Sequence, residues 1–352
     1  MVERSDWSRY DNGKYVGHVY REVRASIVPK QAAAEDAFLY RGNFFVLEET
    51  LRDMRQSARP VDTVVPVKFK IYRDGNLAID DDQGFPALRG FPAFPMEVVR
   101  PGAKWTAPGS RAVDPLNTGR PVVIPLLVEY EYRGSELYRG IPVYRVSAKY
   151  ASRYRNTDVE QGQSFTGLQG AHTVDILIQA ANGLPLLIRD NLDETFSWPD
   201  GSTVRFRGFT LIFNENMAPL NRKTVIASLG GMDVLPVPEG IRLVVKDIRF
   251  IPDSDEFLPE ERSRLDMIAQ ALGPIADRTF LVEGHTAAID DPAGDIDLSI
   301  RRAKRMVEEL TRRGISADRF MYKGWGGTKP IGDNSNEEGR SRNRRVEITI
   351  LE

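Results

Sequence analysis

Hydrophobic and polar positions alternate through most of the first 238 residues. In "VPVKFKIYRDGNLAI", Val65, Val67, Phe69 and Ile71 share one face, and Asp74-Gly75-Asn76 signals a turn before Leu77 and Ile79. "VVIPLLVEYEYRGSELYRGIPVYRVSAKY" predicts a strand, a turn at Arg133-Gly134-Ser135 and a second strand. "HTVDILIQAANGLPLLIRDNL" and "STVRFRGFTLIF" predict a hairpin turning at Asn182-Gly183 and a further strand. This regime is an antiparallel meander, either a sandwich or a curved sheet. "HVYREVRASIV" is strand-like, and "NFFVLEETLRDMRQS" reads as a strand running into a short helix. Residues 1–60 are expected to form a small N-terminal unit packed on an antiparallel β domain of residues 61–236. The Pro- and Gly-rich stretch from Pro86 to Pro121 reads as a long loop or a set of edge strands, and "LPVPEG" (Leu235 to Gly240) as an extended linker.

After the linker the period changes. "IRLVVKDIRFI" predicts a strand. "PEERSRLDMIAQALG" predicts a helix opened by Pro259, with Leu265, Ile268, Ala269 and Leu272 as its apolar stripe and Gly273 as its stop. "RTFLVEGH" is a strand. "DLSIRRAKRMVEELTRRG" is a second helix, with Ile300, Ala303, Val307 and Leu310 inward, Asp295 or Asp297 as cap, and Gly314 as terminator. Two strands close the chain. The order β-α-β-α-β-β over residues 241–352 places helices on one face of a mixed sheet, and the whole chain is expected to be α+β.

Composition removes several function classes. The chain has 352 residues, room for two domains or three, and a formal net charge of -2. That charge gives no long-range reason to expect nucleic acid as a partner. The absence of cysteine excludes disulfides, thiolate metal sites and cysteine nucleophiles. His18, His172 and His285 lie far apart, with no zinc-ligand spacing. No G-x-S-x-G is present, "DDDQG" at Asp80 to Gly84 lacks calcium-loop spacing, and "GWGG" lacks the Lys-Ser/Thr of a phosphate loop. No metal, no cofactor and no enzymatic activity are expected. No apolar run has transmembrane length, and the polar start does not read as a signal peptide, which suits either a cytosolic protein or a trimmed form of an exported one.

Four phrases of the last third carry a resemblance: "DIRFIPDSDEFLPEERSRLDMIAQAL", "VEGHT", "DIDLSIRRAKRMVEEL" and "GWGGTKPIGDNSNEEGRSRNRRVEI". In this order, and without insertions, the region resembles the OmpA-like C-terminal domain family, the periplasmic module that holds peptidoglycan. The resemblance implies a clamp for the stem peptide. In the family an Asp directly after Gly-His-Thr and an Arg on the second helix hold the ammonium and carboxylate of meso-diaminopimelate. A carboxylate accepts from an ammonium, and a guanidinium takes a carboxylate by two parallel hydrogen bonds.

Carried over by residue, the Arg is Arg302 and the Asp position is Ala287, so the carboxylate is missing. Asp295 stands where the family has Asn, and Asp290 where it has Gly. The candidate peptidoglycan-binding set is therefore Arg302, Asp295, Thr286, Asp290 and Asp291, around a lost acid at Ala287. Three readings stay open. Asp290 or Asp291 swings in to replace the lost acid. The stem peptide differs, as where spirochaetes use ornithine, although ornithine would keep the Asp and release the Arg. Or the domain keeps its fold without binding peptidoglycan.

The resemblance implies a non-enzymatic periplasmic envelope protein, an arrangement that fits a spirochaetal type, with any outer-membrane anchoring supplied by a lipid or segment not in this chain. The β domain is expected to meet a protein or lipid partner. The rival expectation is a periplasmic ligand- or lipid-binding protein, or an enzyme, acting through the β domain with the OmpA-like domain as scaffold.

Overall fold

The computed structural model describes residues 1–31, 37–49, 59–72, 77–95, 97–115, 120–156, 165–213, 225–226, 233–237, 240–246, 248–251, 254–275, 278–288 and 291–351. The expected turn at Asp74-Gly75-Asn76 and the short helix after Glu49 fall outside these residues. The chain divides into two compact units where the sequence suggests three segments. One comprises Met1–Ala25, Pro29–Asp53 and Val64–Asn216, and the other Ser26–Val28, Met54–Thr63 and Met217–Glu352.

The strands of the first part of the chain are β1 (Val2–Asp11), β2 (Lys14–Gln31), β3 (Ala37–Glu49), β4 (Arg59–Pro60), β5 (Thr63–Tyr72), β6 (Leu77–Ile79), β7 (Leu88–Arg89), β8 (Lys104–Val113), β9 (Val122–Tyr138), β10 (Ile141–Arg155), β11 (Gly167–Gln179), β12 (Pro185–Ser197) and β13 (Thr203–Phe213). All but β4 form a single twelve-stranded sheet in the order β6-β5-β3-β2-β1-β13-β12-β11-β10-β9-β8-β7. The strands of the first fifty residues thus sit in the middle of this sheet. It is nearly closed: Leu77 and Ile79 of β6 share one hollow with Pro108 and Ser110 of β8, from opposite ends of the strand order.

Alternation sorts the two faces. Val128, Val146, Ile176, Leu192, Phe196 and Phe206 join one core. The other face pairs Lys149 with Glu129, Arg205 with Asp193 and Arg145 with Asp175. Charged pairs of this kind suit water rather than a lipid-facing band. Among the described residues, no helix is long and apolar enough to cross a membrane.

One turn differs from expectation. β9 runs straight through Arg133-Gly134-Ser135, where Gly134 has φ 115° and the β9–β10 register shifts. The chain reverses at Arg139-Gly140, with φ 50° and 81°. Two successive left-handed residues make a tight hairpin turn, whereas one glycine inside a strand makes a bulge. Asn182-Gly183 does turn β11 into β12, and Gly183 has φ 72°.

The second unit contains β14 (Asp233–Val237), β15 (Gly240–Lys246), α1 (Arg262–Leu272), β16 (Phe280–His285), α2 (Pro292–Arg312), β17 (Phe320–Gly324), α3 (Glu337–Asn343) and β18 (Arg345–Leu351). Its sheet runs β14-β15-β18-β16-β17-β4. The stretch read as a linker supplies β14, which pairs antiparallel with β15. Pro236 is tolerated because β14 is an edge strand. At the opposite edge β4 lies parallel to β17.

Leu265, Ile268, Ala269 and Leu272 of α1 and Ala303, Val307 and Leu310 of α2 enter a core with Ile241, Leu243, Phe280, Val282, Phe320, Ile348 and Ile350. Helices therefore cover one sheet face. The α2 terminus forms both hydrogen bonds of a Schellman motif, Gly314 N to Thr311 O and Ile315 N to Leu310 O, with Gly314 at φ 94°.

Candidate functional site

The site is built where β16 ends, where α2 begins, and in the turn after β17. Helix α2 presses on the sheet because Gly284 and Gly324 leave room: a Cβ at Gly284 would collide with the Ser299 carbonyl oxygen, and one at Gly324 with the Ser299 hydroxyl. Ser299 is fully buried and accepts a hydrogen bond from Gly326 N at 2.9 Å. The Thr286 N–H donates to Gly326 O at 3.0 Å. Gly326 also packs on Asp295 and Ile296, so Thr286 and Asp295 meet around this turn.

The expected site residues fall into separate places. Asp291 caps α2: its carboxylate accepts from Gly294 N at 3.1 Å, with Pro292 in the first helical turn. The cap is therefore neither Asp295 nor Asp297, because Pro292 lets the helix start a turn earlier. Asp295 lies inside that first turn and is buried. Asp297 pairs with Arg301 at 2.9 Å. Ala287 is buried at 3% exposure, and Ala288 next to it donates its N–H to Asn334 Oδ1. Asp290 lies outside the described residues.

Arg302 stands two helical turns from Asp295 on the same side of α2. Its Nε donates to the Ser254 carbonyl at 3.1 Å, and its guanidinium lies 4.6 Å from the centre of the Phe250 ring. Phe250 is itself stacked on Phe257. Arg302 is thus fastened to the 250–257 loop. The hydroxyl of Thr286 is buried with no hydrogen-bond partner among the described residues.

Beside the site is a polar cluster that motif matching passes over. Glu283 and His285 on β16 and Arg345 and Glu347 on β18 are all buried. Each pair is two residues apart, so all four share the sheet face away from α1 and α2. Arg345 Nε donates to Glu347 at 2.7 Å, and Trp325 Nε1 donates to Glu283 at 2.7 Å. Lys329 Nζ sits 3.4 Å from the centre of the Trp325 ring. Burial raises the Glu283 carboxyl, partly offset by the Trp325 hydrogen bond. Burial, and then Arg345, Lys329 and Arg242, push His285 down to about 3. His285 is neutral, and neither ring nitrogen has a hydrogen-bond partner among the described residues. The polar i, i+2 pairs in "VEGH" and "RRVE" were the available signal for this cluster.

Residues 249–344 match the model of the OmpA family. They are an OmpA family domain. The chain is 38% identical over 117 residues to outer membrane protein A of Bordetella avium, covering 33% of this chain and 60% of that protein. It is 33% identical over 103 residues to the peptidoglycan-binding protein ArfA of Mycobacterium tuberculosis, covering 29% of this chain and 32% of that one. It is 35% identical over 96 residues to the outer-membrane lipoprotein YfiB of Pseudomonas aeruginosa, covering 27% and 57%. The chain therefore spans less than two thirds of the length of each of these relatives. Among solved structures, an outer membrane protein from Borrelia burgdorferi B31 is 31% identical, with a TM-score of 0.29, over 35% of this chain and 98% of that one. The OmpA family domain thus holds Thr286, Asp295 and Ser299 around one turn and ties Arg302 to a neighbouring loop.

Proposed function

We propose that this protein is a non-enzymatic component of the bacterial envelope, facing peptidoglycan through its OmpA family domain with a stem-peptide clamp reduced to its guanidinium half. Peptidoglycan association is supported by the similarity to a relative named as peptidoglycan-binding. The reduction of the clamp rests on one observation: the position after Gly-His-Thr is a buried methyl, Ala287. Two further contacts agree with it. Asp291 is engaged as a helix cap, and Arg302 already has an aromatic face and a carbonyl as partners. Losing one charged partner of such a clamp costs about 1–3 kcal/mol, roughly tenfold to a hundredfold in affinity. The domain then grips the wall weakly or serves as scaffold.

The β unit acts by binding rather than by catalysis. Ser152 Oγ lies 3.2 Å from His172 Nε2, and His172 Nδ1 lies 2.9 Å from Asp190, which imitates a hydrolytic triad. Yet His172 Nε2 is also 2.8 Å from Glu194. Burial opposes charging His172, but the hydrogen bonds to Asp190 and Glu194 outweigh it and its pKa is raised. Protonation, which the raised pKa favours, leaves the ring no lone pair with which to activate a serine.

The test is co-sedimentation with purified sacculi. Wild type is expected to remain largely in the supernatant and Ala287→Asp to pellet. Wild type that pellets, and is released by Arg302→Gln, would overturn the reduced clamp. Failure of both wild type and Ala287→Asp to pellet would overturn the peptidoglycan assignment itself.

A further inference from the structure

Large apolar side chains stand exposed at one end of the twelve-stranded sheet. β9 and β10 reverse at Arg139-Gly140, and Leu137 and Ile141 flank that turn. β11 and β12 reverse at Asn182-Gly183, and Leu184 follows that turn directly. The loop entering β8 lies against the same end of β9: Gly102 N donates to Tyr132 O at 2.7 Å, and Tyr132 N to Ala103 O at 3.0 Å. That loop carries Val98, which is fully exposed. Leu137 is 72% exposed and Leu184 51%. Strands β8 to β12 are neighbours in the sheet, so three adjacent connections present aliphatic residues from one end.

Single exposed aliphatics are ordinary on a protein surface. Turns, however, favour polar residues and glycine. Arg139-Gly140 and Asn182-Gly183 follow that rule, yet the residues set beside them are Leu, Ile and Leu. None of Val98, Leu137, Ile141 and Leu184 belongs to either hydrophobic core, so folding does not require them there.

Behind the tips are amphipathic side chains. Tyr138 lies across from Ile141, with the Arg139 guanidinium 5.6 Å from its ring centre. Tyr144, itself exposed, meets Tyr132 edge-on at 6.1 Å. Arg133 pairs with Glu131 and Arg145 with Glu136. On the Val98 loop, Arg100 offsets Glu97. Arg139 has no ion pair among the described residues. Small ligands need a concave pocket, which protruding tips do not form. Aliphatic tips backed by tyrosines and an unmatched guanidinium follow the layers of a lipid boundary. Hydrocarbon takes the aliphatics, the interface takes the tyrosine rings, and headgroup phosphate takes the cation.

We propose that this end of the β unit docks on a lipid bilayer, with Val98, Leu137, Ile141 and Leu184 entering the acyl boundary and Arg139 meeting a headgroup phosphate. The charged strand faces stay in water, so only the tips enter. This contact does not depend on the peptidoglycan clamp.

The test is flotation of the full chain with vesicles of phosphatidylethanolamine and phosphatidylglycerol. Wild type is expected to float with the vesicles. The double variant Leu137→Ser, Leu184→Ser is expected to lower the partition constant about tenfold or more. Leu127→Ser is the control. Leu127 is 66% exposed but lies ten residues back along β9, about 33 Å from Leu137, and its loss is expected to leave flotation unchanged. Arg139→Gln is expected to weaken binding about fivefold, and only where phosphatidylglycerol is present. Thermal melts are expected to match wild type, since all these side chains are exposed, and so separate lost contact from lost fold. Wild type that does not float would overturn the proposal and leave the tips to a protein partner. So would a double variant that floats like wild type, or a Leu127→Ser loss equal to that of the double variant.

Discussion

Each of the two units buries a histidine, and the surroundings shift the two in opposite directions. In the β unit His172 sits between Asp190 and Glu194 and is stacked 4.2 Å from Tyr150. Its pKa is raised despite burial. In the OmpA family domain His285 lies among Arg345, Lys329 and Arg242, and burial with those cations holds it neutral. Both are almost wholly enclosed, so enclosure alone does not decide the protonation state. The sign of the neighbouring charge does.

The largest test of this comparison is Arg111→Met. Glu194 would stay buried and lose its strongest counter-charge, a loss that typically costs about 3–5 kcal/mol. Hydrogen exchange resolved by peptide is expected to show β10, β11 and β12 losing protection while β16 and β18 do not. Adding Glu194→Leu should recover most of the loss. Equal loss in both units would break the comparison.

The second test is pH. His285 has a folded pKa below its unfolded value, so its contribution is complete above about 6.5 and is lost as pH falls toward 3. His172 has a raised folded pKa, so its contribution is complete below about 6.5 and is lost as pH rises through the folded value. Lowering pH from 7 to 5 is expected to weaken the OmpA family domain by up to about 1.4 kcal/mol per pH unit from His285, and raising it to weaken the β unit. Unit-resolved exchange at several pH values is the measurement. His285→Phe should flatten the acid limb only; an unchanged limb would show that another group controls it.

The smallest effect is expected at Asp291→Ala. Losing the cap of α2 should cost about 1 kcal/mol and appear as faster exchange in its first turn. If the variant instead alters sedimentation with sacculi and leaves exchange unchanged, Asp291 serves the ligand rather than the helix.

The helices of the OmpA family domain were legible because their signals are local. Leu265, Ile268 and Leu272 repeat at helical spacing, and Gly314 stands where a left-handed residue is needed. The strands of the β unit were legible as strands, but their closure was not. Nothing near Leu77 announces Pro108 as a neighbour, because that proximity depends on how a dozen strands coil. At the site, Arg302 was found by its place in a motif, but its attachment to Ser254 and Phe250 is a tertiary contact across 48 residues. The matched charges of Arg111, His172, Asp190 and Glu194 were equally invisible, since three strands contribute to them.

The short strand β4 carries a practical consequence. Val61 N donates to Tyr322 O at 2.8 Å, and Lys323 Nζ reaches the carbonyls of Val61 and Asp62, so a segment made early in synthesis finishes an edge assembled only at the end. A nascent chain must hold that segment in waiting while more than two hundred residues emerge. A piece excised at the family boundary would leave the backbone of β17 bare, an invitation to self-association that the intact polypeptide covers with its own residues.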